Sequence, residues 1–164
     1  MNVRLLGSIV ALIALALDQA SKQWLVFAYD IAERQPVHLG PYLDIVLAWN
    51  KGISYSLFTS NSEGGRWALL AITLLATAGL IWWLSRSKAL LTSIALGLLI
   101  GGALGNAYDR WAYGAVVDFV YVHAGSFSWY IFNVADTAIT FGVILLLWEQ
   151  IFAASPRATA SKLP

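Results

Sequence analysis

The chain has no cysteine and little charge. The missing cysteine excludes a disulfide framework, a thiolate nucleophile and a cysteine-ligated zinc site, and it leaves the redox compartment open. The only two histidines, His38 and His123, stand in separate polar stretches without the spacing of a zinc-binding helix, so neither a metal nor another cofactor is expected. Lys and Arg number 10 against 9 Asp and Glu, a formal net charge of +1. So weak a field cannot neutralise a run of phosphates, which excludes nucleic acid as a partner. Internal repeats and low-complexity runs are absent as well.

Apolar residues make up what is left. Hydrophobic residues are 59% of the 164 and charged ones 12%, with a mean hydropathy of +0.69, outside the balance of a soluble domain. Four runs, at residues 4–27, 67–84, 89–108 and 133–152, are long enough or nearly so to cross about 30 Å of hydrocarbon as helices. They are continuously apolar rather than alternating, which favours helices over barrel strands. The first run, with Arg4 ahead of it and Ala14, Leu15 and Ala16 inside it, also resembles a cleaved signal peptide. Apolar and aromatic residues resume at 24–27 beyond Asp18 and Lys22, so it is read as a span; those two charges, at i and i+4, can neutralise each other on one helical face.

Four spans put both termini on one side. Five basic residues fall on each side, but Arg4, Arg86, Lys88, Arg157 and Lys162 cluster beside helix ends, whereas three of the opposite five (Lys22, Arg34, Lys51, Arg66 and Arg110) sit in one long loop. The clustered set marks the cytoplasmic side. The outer connections then cover residues 28–66 and 109–132. In the first, Leu43, Ile45, Leu47 and Trp49 alternate after a Gly-Pro break, and residues 116–122 of the second are β-branched and aromatic. The two segments are expected to pair as a small sheet on the membrane surface. Trp67, Trp111, Trp129 and Tyr130 suit the interfacial level. Residues 154–164 read as a disordered cytoplasmic tail after a single domain at 1–153. The fold class is therefore an all-α membrane protein of four transmembrane helices with a small extracytoplasmic β-sheet and loop platform.

Ionisable groups in such a chain are costly and mark function. In the third run, Gly97, Gly101 and Gly105 form a doubled small-xxx-small pattern for close helix packing. Gly102, Asn106 and Arg110 follow at i, i+4 and i+8, a polar line that must face the bundle or a wet cleft. The fourth run opens with Asn133, Asp136, Thr137 and Thr140 on one face; Asn133 suits an N-cap, and Asp136 suits the helix dipole. Asp118 interrupts an apolar strand-like run. Two carboxylates in one partly desolvated cleft divide into a proton donor and a proton acceptor, which is sufficient to hydrolyse an amide. Spacing alone also allows, as weaker readings, a proton-coupled carrier, or a scaffold whose glycines receive partner helices.

The blocks DQASK (18–22), NKG (50–52), GGALGNAYDR (101–110) running on to GAVVDF (114–119), and NVAD (133–136) resemble the lipoprotein signal peptidase, or signal peptidase II, family in order and over almost the whole chain. The resemblance implies a bacterial inner-membrane aspartic endopeptidase that cleaves prolipoproteins just before a diacylglyceryl-modified cysteine. It implies inhibition by globomycin, a site near the outer leaflet, and contact with lipid. It also makes Asp118 and Asp136 the catalytic pair. Asn106, Arg110 and Asn133 match positions that order the site, and Asp18, Asn50 and Gly52 match positions that support it or meet inhibitor. Lys22, Gly102 and Asp109 are expected beside them, with Arg110 neutralising Asp109 or holding the loop before Asp118. Residues 53–56 depart from the family pattern, which commonly has two alanines and a phenylalanine after the glycine. A monomer is expected.

Overall fold

The computed structural model describes residues 2–52 and 63–153; the divergent run at 53–56 and the tail at 154–164 lie outside the described residues. Helix α1 (Val3–Gln23) begins where the Asn2 side chain accepts the Arg4 N–H at 3.0 Å, and it winds into a π-helical turn at Trp24–Ala28. A short α2 (Ile31–Arg34) follows, then α3 (Glu63–Arg86), α4 (Leu90–Tyr113) and α5 (Val134–Ala153). The four segments long and apolar enough to cross a bilayer are Val3–Ala28, Glu63–Arg86, Leu90–Tyr113 and Val134–Phe152, in agreement with the four runs read from the sequence.

Helix α4 is the centre of the bundle. It packs closely against α1, α5 and α3, whereas α3 meets α1 only marginally. Of the four spans it alone is mostly buried, and the other three turn apolar faces outward, as suits surroundings of lipid. The glycine pattern serves two partners. Gly97, Gly101 and Gly105 lie against Gly7, Ala11 and Asp18 of α1, while Gly102 on the next face lies against Ala135 of α5. A β-carbon on Gly102 would meet the Ala135 carbonyl oxygen at 2.5 Å, so only glycine permits this helix separation. Ala11, Leu84, Leu96, Leu99 and Ile100 form the core farther from the sheet.

Helix α4 ends at Gly114, in the left-handed conformation at φ 79°, with its N–H on the Arg110 carbonyl at 3.2 Å. Arg66, near the start of α3, caps the same end, donating Nε to the Arg110 carbonyl at 2.7 Å and a terminal N–H to the Trp111 carbonyl at 2.5 Å. A cation at a helix C-terminus offsets the dipole and satisfies unpaired carbonyls. It also ties α3 to α4.

The expected sheet is present as four antiparallel strands in the order β1 (Val37–His38), β2 (Leu43–Asn50), β3 (Val116–Ala124), β4 (Phe127–Ser128). Leu25, Ile31 and Phe119 pack beneath it. Asp44 joins three strands, with Oδ1 2.7 Å from His38 Nδ1 and Oδ2 3.1 Å from His123 Nε2; the hydrogen bond from His38 is the main cause holding its carboxyl below the usual range. The two histidines thus meet a carboxylate, and the described residues contain no cluster that could hold a metal.

The alternation that marked β2 as a strand is interrupted once. The register runs Ile45 opposite Val120, then Ala48 opposite Asp118, so two β2 residues oppose one of β3 in a bulge. Strict alternation would turn Leu47 and Trp49 to the face of Asp118. The extra residue reverses the phase, which puts Ala48 and Asn50 on that face instead. Trp49 is left 45% exposed, edge-on to Tyr113.

Candidate active site

The residues that the family resemblance assigned to the site meet at the sheet end of the bundle. Asp18 and Lys22 come from α1, Asn50 from the end of β2 and Gly52 from just beyond it, and Gly102, Asn106, Asp109 and Arg110 from α4. Asp118 lies in β3; Asn133 and Asp136 lie at the start of α5. The backbone explains the last approach. Phe132 bridges to Val120 of β3, with N–H and carbonyl exchanged at 3.1 and 2.8 Å, so the chain enters α5 alongside Asp118.

Asn133 then caps α5. Its Oδ1 accepts the Asp136 N–H at 2.9 Å and Asp136 Oδ2 accepts the Asn133 N–H at 3.3 Å, a reciprocal capping box. The amide orientation follows, because a backbone N–H can only donate. Nδ2 of Asn133 therefore faces acceptors, namely Asp118 Oδ1 at 2.6 Å, Asn106 Oδ1 at 3.2 Å and the Val117 carbonyl at 3.3 Å. Asn50 is fixed in the same way: Oδ1 takes the Gly52 N–H at 3.0 Å, so Nδ2 donates to Asp118 Oδ2 at 3.0 Å. Asn106 Oδ1 takes Lys22 Nζ at 3.1 Å, so its Nδ2 donates to Asp136 Oδ1 at 2.9 Å. Each of the four carboxylate oxygens thus receives one N–H.

Asp118 is 2% exposed and Asp136 partly exposed. Burial, reinforced by the charge of Asp136, pushes the Asp118 carboxyl up to about 7 against the pull of the Asn50 and Asn133 hydrogen bonds and of Lys22. A group with that affinity exchanges its proton near neutral pH.

Both aspartates line one cleft of roughly 520 Å³. Its walls are Leu69, Ile72 and Thr73 of α3, Ala103, Asn106 and Arg110 of α4, and Ile139 of α5, with Ala48, Trp49, Tyr130 and Ile131 on the sheet side. Apart from Thr73, the residues that α3 and α5 add beside Asp136 are apolar.

Beneath the cleft lies a buried ionic group. Lys22 Nζ is 2.8 Å from Asp18 Oδ2 and 2.8 Å from Asp109 Oδ2, with exposures of 1%, 0% and 0%. The neutralisation expected between Asp18 and Lys22 is present, but Asp109 is not neutralised by Arg110. Lys22 holds it, because α1 packs on the Asp109 face of α4. Arg110, one residue on, turns into the cleft and donates to the Gly52 carbonyl at 3.0 Å and the Asn106 carbonyl at 3.4 Å. It therefore holds the chain after β2 rather than the loop before Asp118.

Two contributors escaped the sequence reading. Gln19 Nε2 donates to Asp109 Oδ1 at 2.9 Å, Asp18 Oδ2 at 3.1 Å and the Gly105 carbonyl at 3.2 Å; its place between Asp18 and Lys22 in the DQASK block was the available signal. Arg66 looked like a topology charge, and nothing local marks it as a cap for a helix 44 residues away.

The family model described as "Signal peptidase (SPase) II" matches residues 10–152. The chain belongs to the signal peptidase II family. Among its relatives is a lipoprotein signal peptidase of Methylocella silvestris, 56% identical over 99% of this chain and 95% of that protein. A lipoprotein signal peptidase of Beijerinckia indica subsp. indica is 55% identical over 91% of this chain and 89% of that one. A solved structure described as a bacterial membrane enzyme, at 2.3 Å, superposes with a TM-score of 0.80 at 25% identity, covering 96% of this chain and 94% of the other. A second, at 1.9 Å, gives 0.76 at 27% identity over 89% and 92%. Signal peptidase II membership makes the chain a membrane-embedded peptidase and displaces the carrier and scaffold readings.

Proposed function

We propose that this peptidase removes signal peptides from prolipoproteins by an aspartic mechanism, with Asp136 as general base and Asp118 as general acid, and that it cuts just before a diacylglyceryl-modified cysteine. One observation carries the reading: two carboxylates share one cleft, every oxygen of the pair takes an N–H donor, and the more buried member holds its proton up to about 7. Donors on all four oxygens favour charge, whereas burial and mutual repulsion allow only one charge, so the pair shares one proton.

The chemistry follows from that single proton. Asp136, more open and at the first turn of α5, takes a proton from water as the water oxygen attacks the scissile carbonyl carbon. Asp118 gives its proton to the carbonyl oxygen, forming a neutral gem-diol. Collapse breaks the C–N bond; the leaving amine takes the proton now on Asp136, and a diol hydroxyl returns one to Asp118. Arg110 and Asn50 keep the chain at Gly52 closed against this face, and positioning by the lipid anchor supplies the remote binding energy.

Substrate enters sideways. Helices α3 and α5 both pack on α4, and the apolar side chains of Leu69, Ile72 and Ile139 line the gap between them, so a signal helix slides from lipid toward the aspartates while its acyl chains stay in the bilayer. The protein acts as a monomer in the bacterial inner membrane, with both termini cytoplasmic, the site near the outer leaflet, and the sheet and the Asn50 loop forming a platform over the cleft. Residues 1–153 form the single peptidase domain, and globomycin-type peptides occupy the cleft. The decisive experiment incubates the purified protein in detergent with a lipidated prolipoprotein, comparing wild type with Asp118→Asn and Asp136→Asn. Both variants are expected to be inactive. Unchanged cleavage by either sinks the dyad, and loss of wild-type activity on adding a chelator replaces it with a metal mechanism.

A further inference from the structure

Lys22 has no place in the cleft lining, yet its contacts lead to both aspartates. Its ammonium has three N–H groups, and three acceptors surround it: Asp18 Oδ2, Asp109 Oδ2 and Asn106 Oδ1. Each branch continues. Asp18 Oδ1 accepts the N–H of Ala135, the residue before Asp136, at 2.9 Å. Asp109 Oδ2 accepts the N–H of Val117, the residue before Asp118, at 3.1 Å. Asn106 passes its own N–H to Asp136 Oδ1 at 2.9 Å.

We propose that Lys22 is a positioning residue for the hydrolysis, holding the backbone ahead of each aspartate through Asp18 and Asp109 and fixing the Asn106 amide so that Asp136 meets a donor and serves as the base. The inference rests on the aspartic reading above and assigns it a second layer. The orientation of Asn106 is the crux. If its amide were reversed, Oδ1 would face Asp136 Oδ1, and that pairing would need a proton on Asp136, the wrong state for a base. Lys22 forbids the reversal, because an ammonium cannot accept. Asn133 Nδ2 on the same Oδ1 reinforces it.

The cation also acts at longer range. The titratable and charged groups facing the pair are Asp18 and Lys22 from α1, Asp109 and Arg110 from α4, and Tyr130 ahead of α5, with Asp118 and Asp136 facing each other. Among the described residues, the α3 wall adds only uncharged Leu69, Ile72 and Thr73. Removing the Lys22 charge therefore makes Asp118 harder to ionise.

The test uses the full chain in detergent with a lipidated prolipoprotein, across pH. Lys22→Gln keeps N–H donors and loses the charge; Lys22→Met loses both. Because an unpaired Asp18 or Asp109 is costly in the interior, a third variant, Asp18→Asn with Lys22→Gln and Asp109→Asn, removes all three charges together. In whichever variant elutes and melts as a folded protein, kcat is expected to fall about 10- to 100-fold, with KM within roughly threefold; in the two single variants, which lose only the cation, the alkaline limb of kcat set by Asp118 is displaced to higher pH. Lys22→Met is expected to fall further than Lys22→Gln. A folded variant with wild-type kcat, or a folded single variant whose kcat falls without movement of the limb, overturns the positioning role. The underlying reading is scored separately: if Asp136→Asn still cleaves, the aspartic mechanism itself is wrong, and if Asp136→Asn is dead while Lys22→Gln behaves as wild type, only the role of Lys22 is lost.

Discussion

Asn133 reaches Asp118 Oδ1 at 2.6 Å with the nitrogen of an amide whose oxygen is already committed to capping α5. Helix capping and the orientation of a reactive carboxyl are one arrangement here. The role of Asn133 as an N-cap and its role beside the aspartates are therefore not competing explanations.

Replacing Asn133 by Asp removes the donor to Asp118 and sets a third carboxylate beside the pair, although it can still cap α5. Activity is expected to fall by about two orders of magnitude, and the melting temperature to drop, because a buried carboxylate oxygen then faces acceptors at Asp118, Asn106 and Val117. Cleavage rates and thermal melts of the detergent-solubilised variant check both halves.

The pH dependence follows from Asp118. As the general acid it must be protonated, so cleavage is expected to decline as pH rises through about 7. The stability sign is the same. The folded state binds this proton more tightly than the unfolded chain, whose carboxyl has the ordinary value of 3.8, so stability is lost as pH rises between those values. A series of melts from pH 4 to 8 should show the decline, and Asp118→Asn should flatten it.

Asn50 tunes that limb. Its N–H favours the ionised form of Asp118, so Asn50→Ala is expected to move the alkaline limb upward. It also frees the Gly52 N–H and should lower kcat about tenfold. A pH–rate profile that does not move would contradict the role given to this hydrogen bond.

Packing at the α4–α5 seam offers a test independent of chemistry. Gly102→Val places methyl groups where the Ala135 carbonyl and Ile139 already sit. It should push α5, and with it Asp136, away from α4, costing at least about 1–3 kcal/mol and most of the activity. Gly79→Ala is the matched control, since nothing lies within 4 Å of an added β-carbon there; it should leave both unchanged.

Much of this arrangement was legible because lipid limits what a sequence can do. The four spans, the pairing of residues 43–50 with 116–124, the Asp18–Lys22 pair and the Asn133 cap each follow from local spacing. The bulge does not. One extra residue in β2 decides whether Trp49 or Asn50 faces Asp118, and alternation counted along one strand has no access to the register of its partner. Asp109 and Arg110 show the same limit, since adjacent helical residues point about 100° apart. Only the placement of α1 against α4 determines which of them meets Lys22. Arg66 and Gln19 lacked any local signal strong enough to name their acceptors.

Helix α1 contributes no side chain to the wall of the cleft, yet its Asp18 and Lys22 set where α5 and β3 begin their approach. A compound filling the cleft therefore reads a geometry imposed by a helix it never touches. Relatives that differ along α1 while keeping every cleft residue will present the same chemical groups at altered spacing, and a comparison of inhibitors across them separates shape from composition.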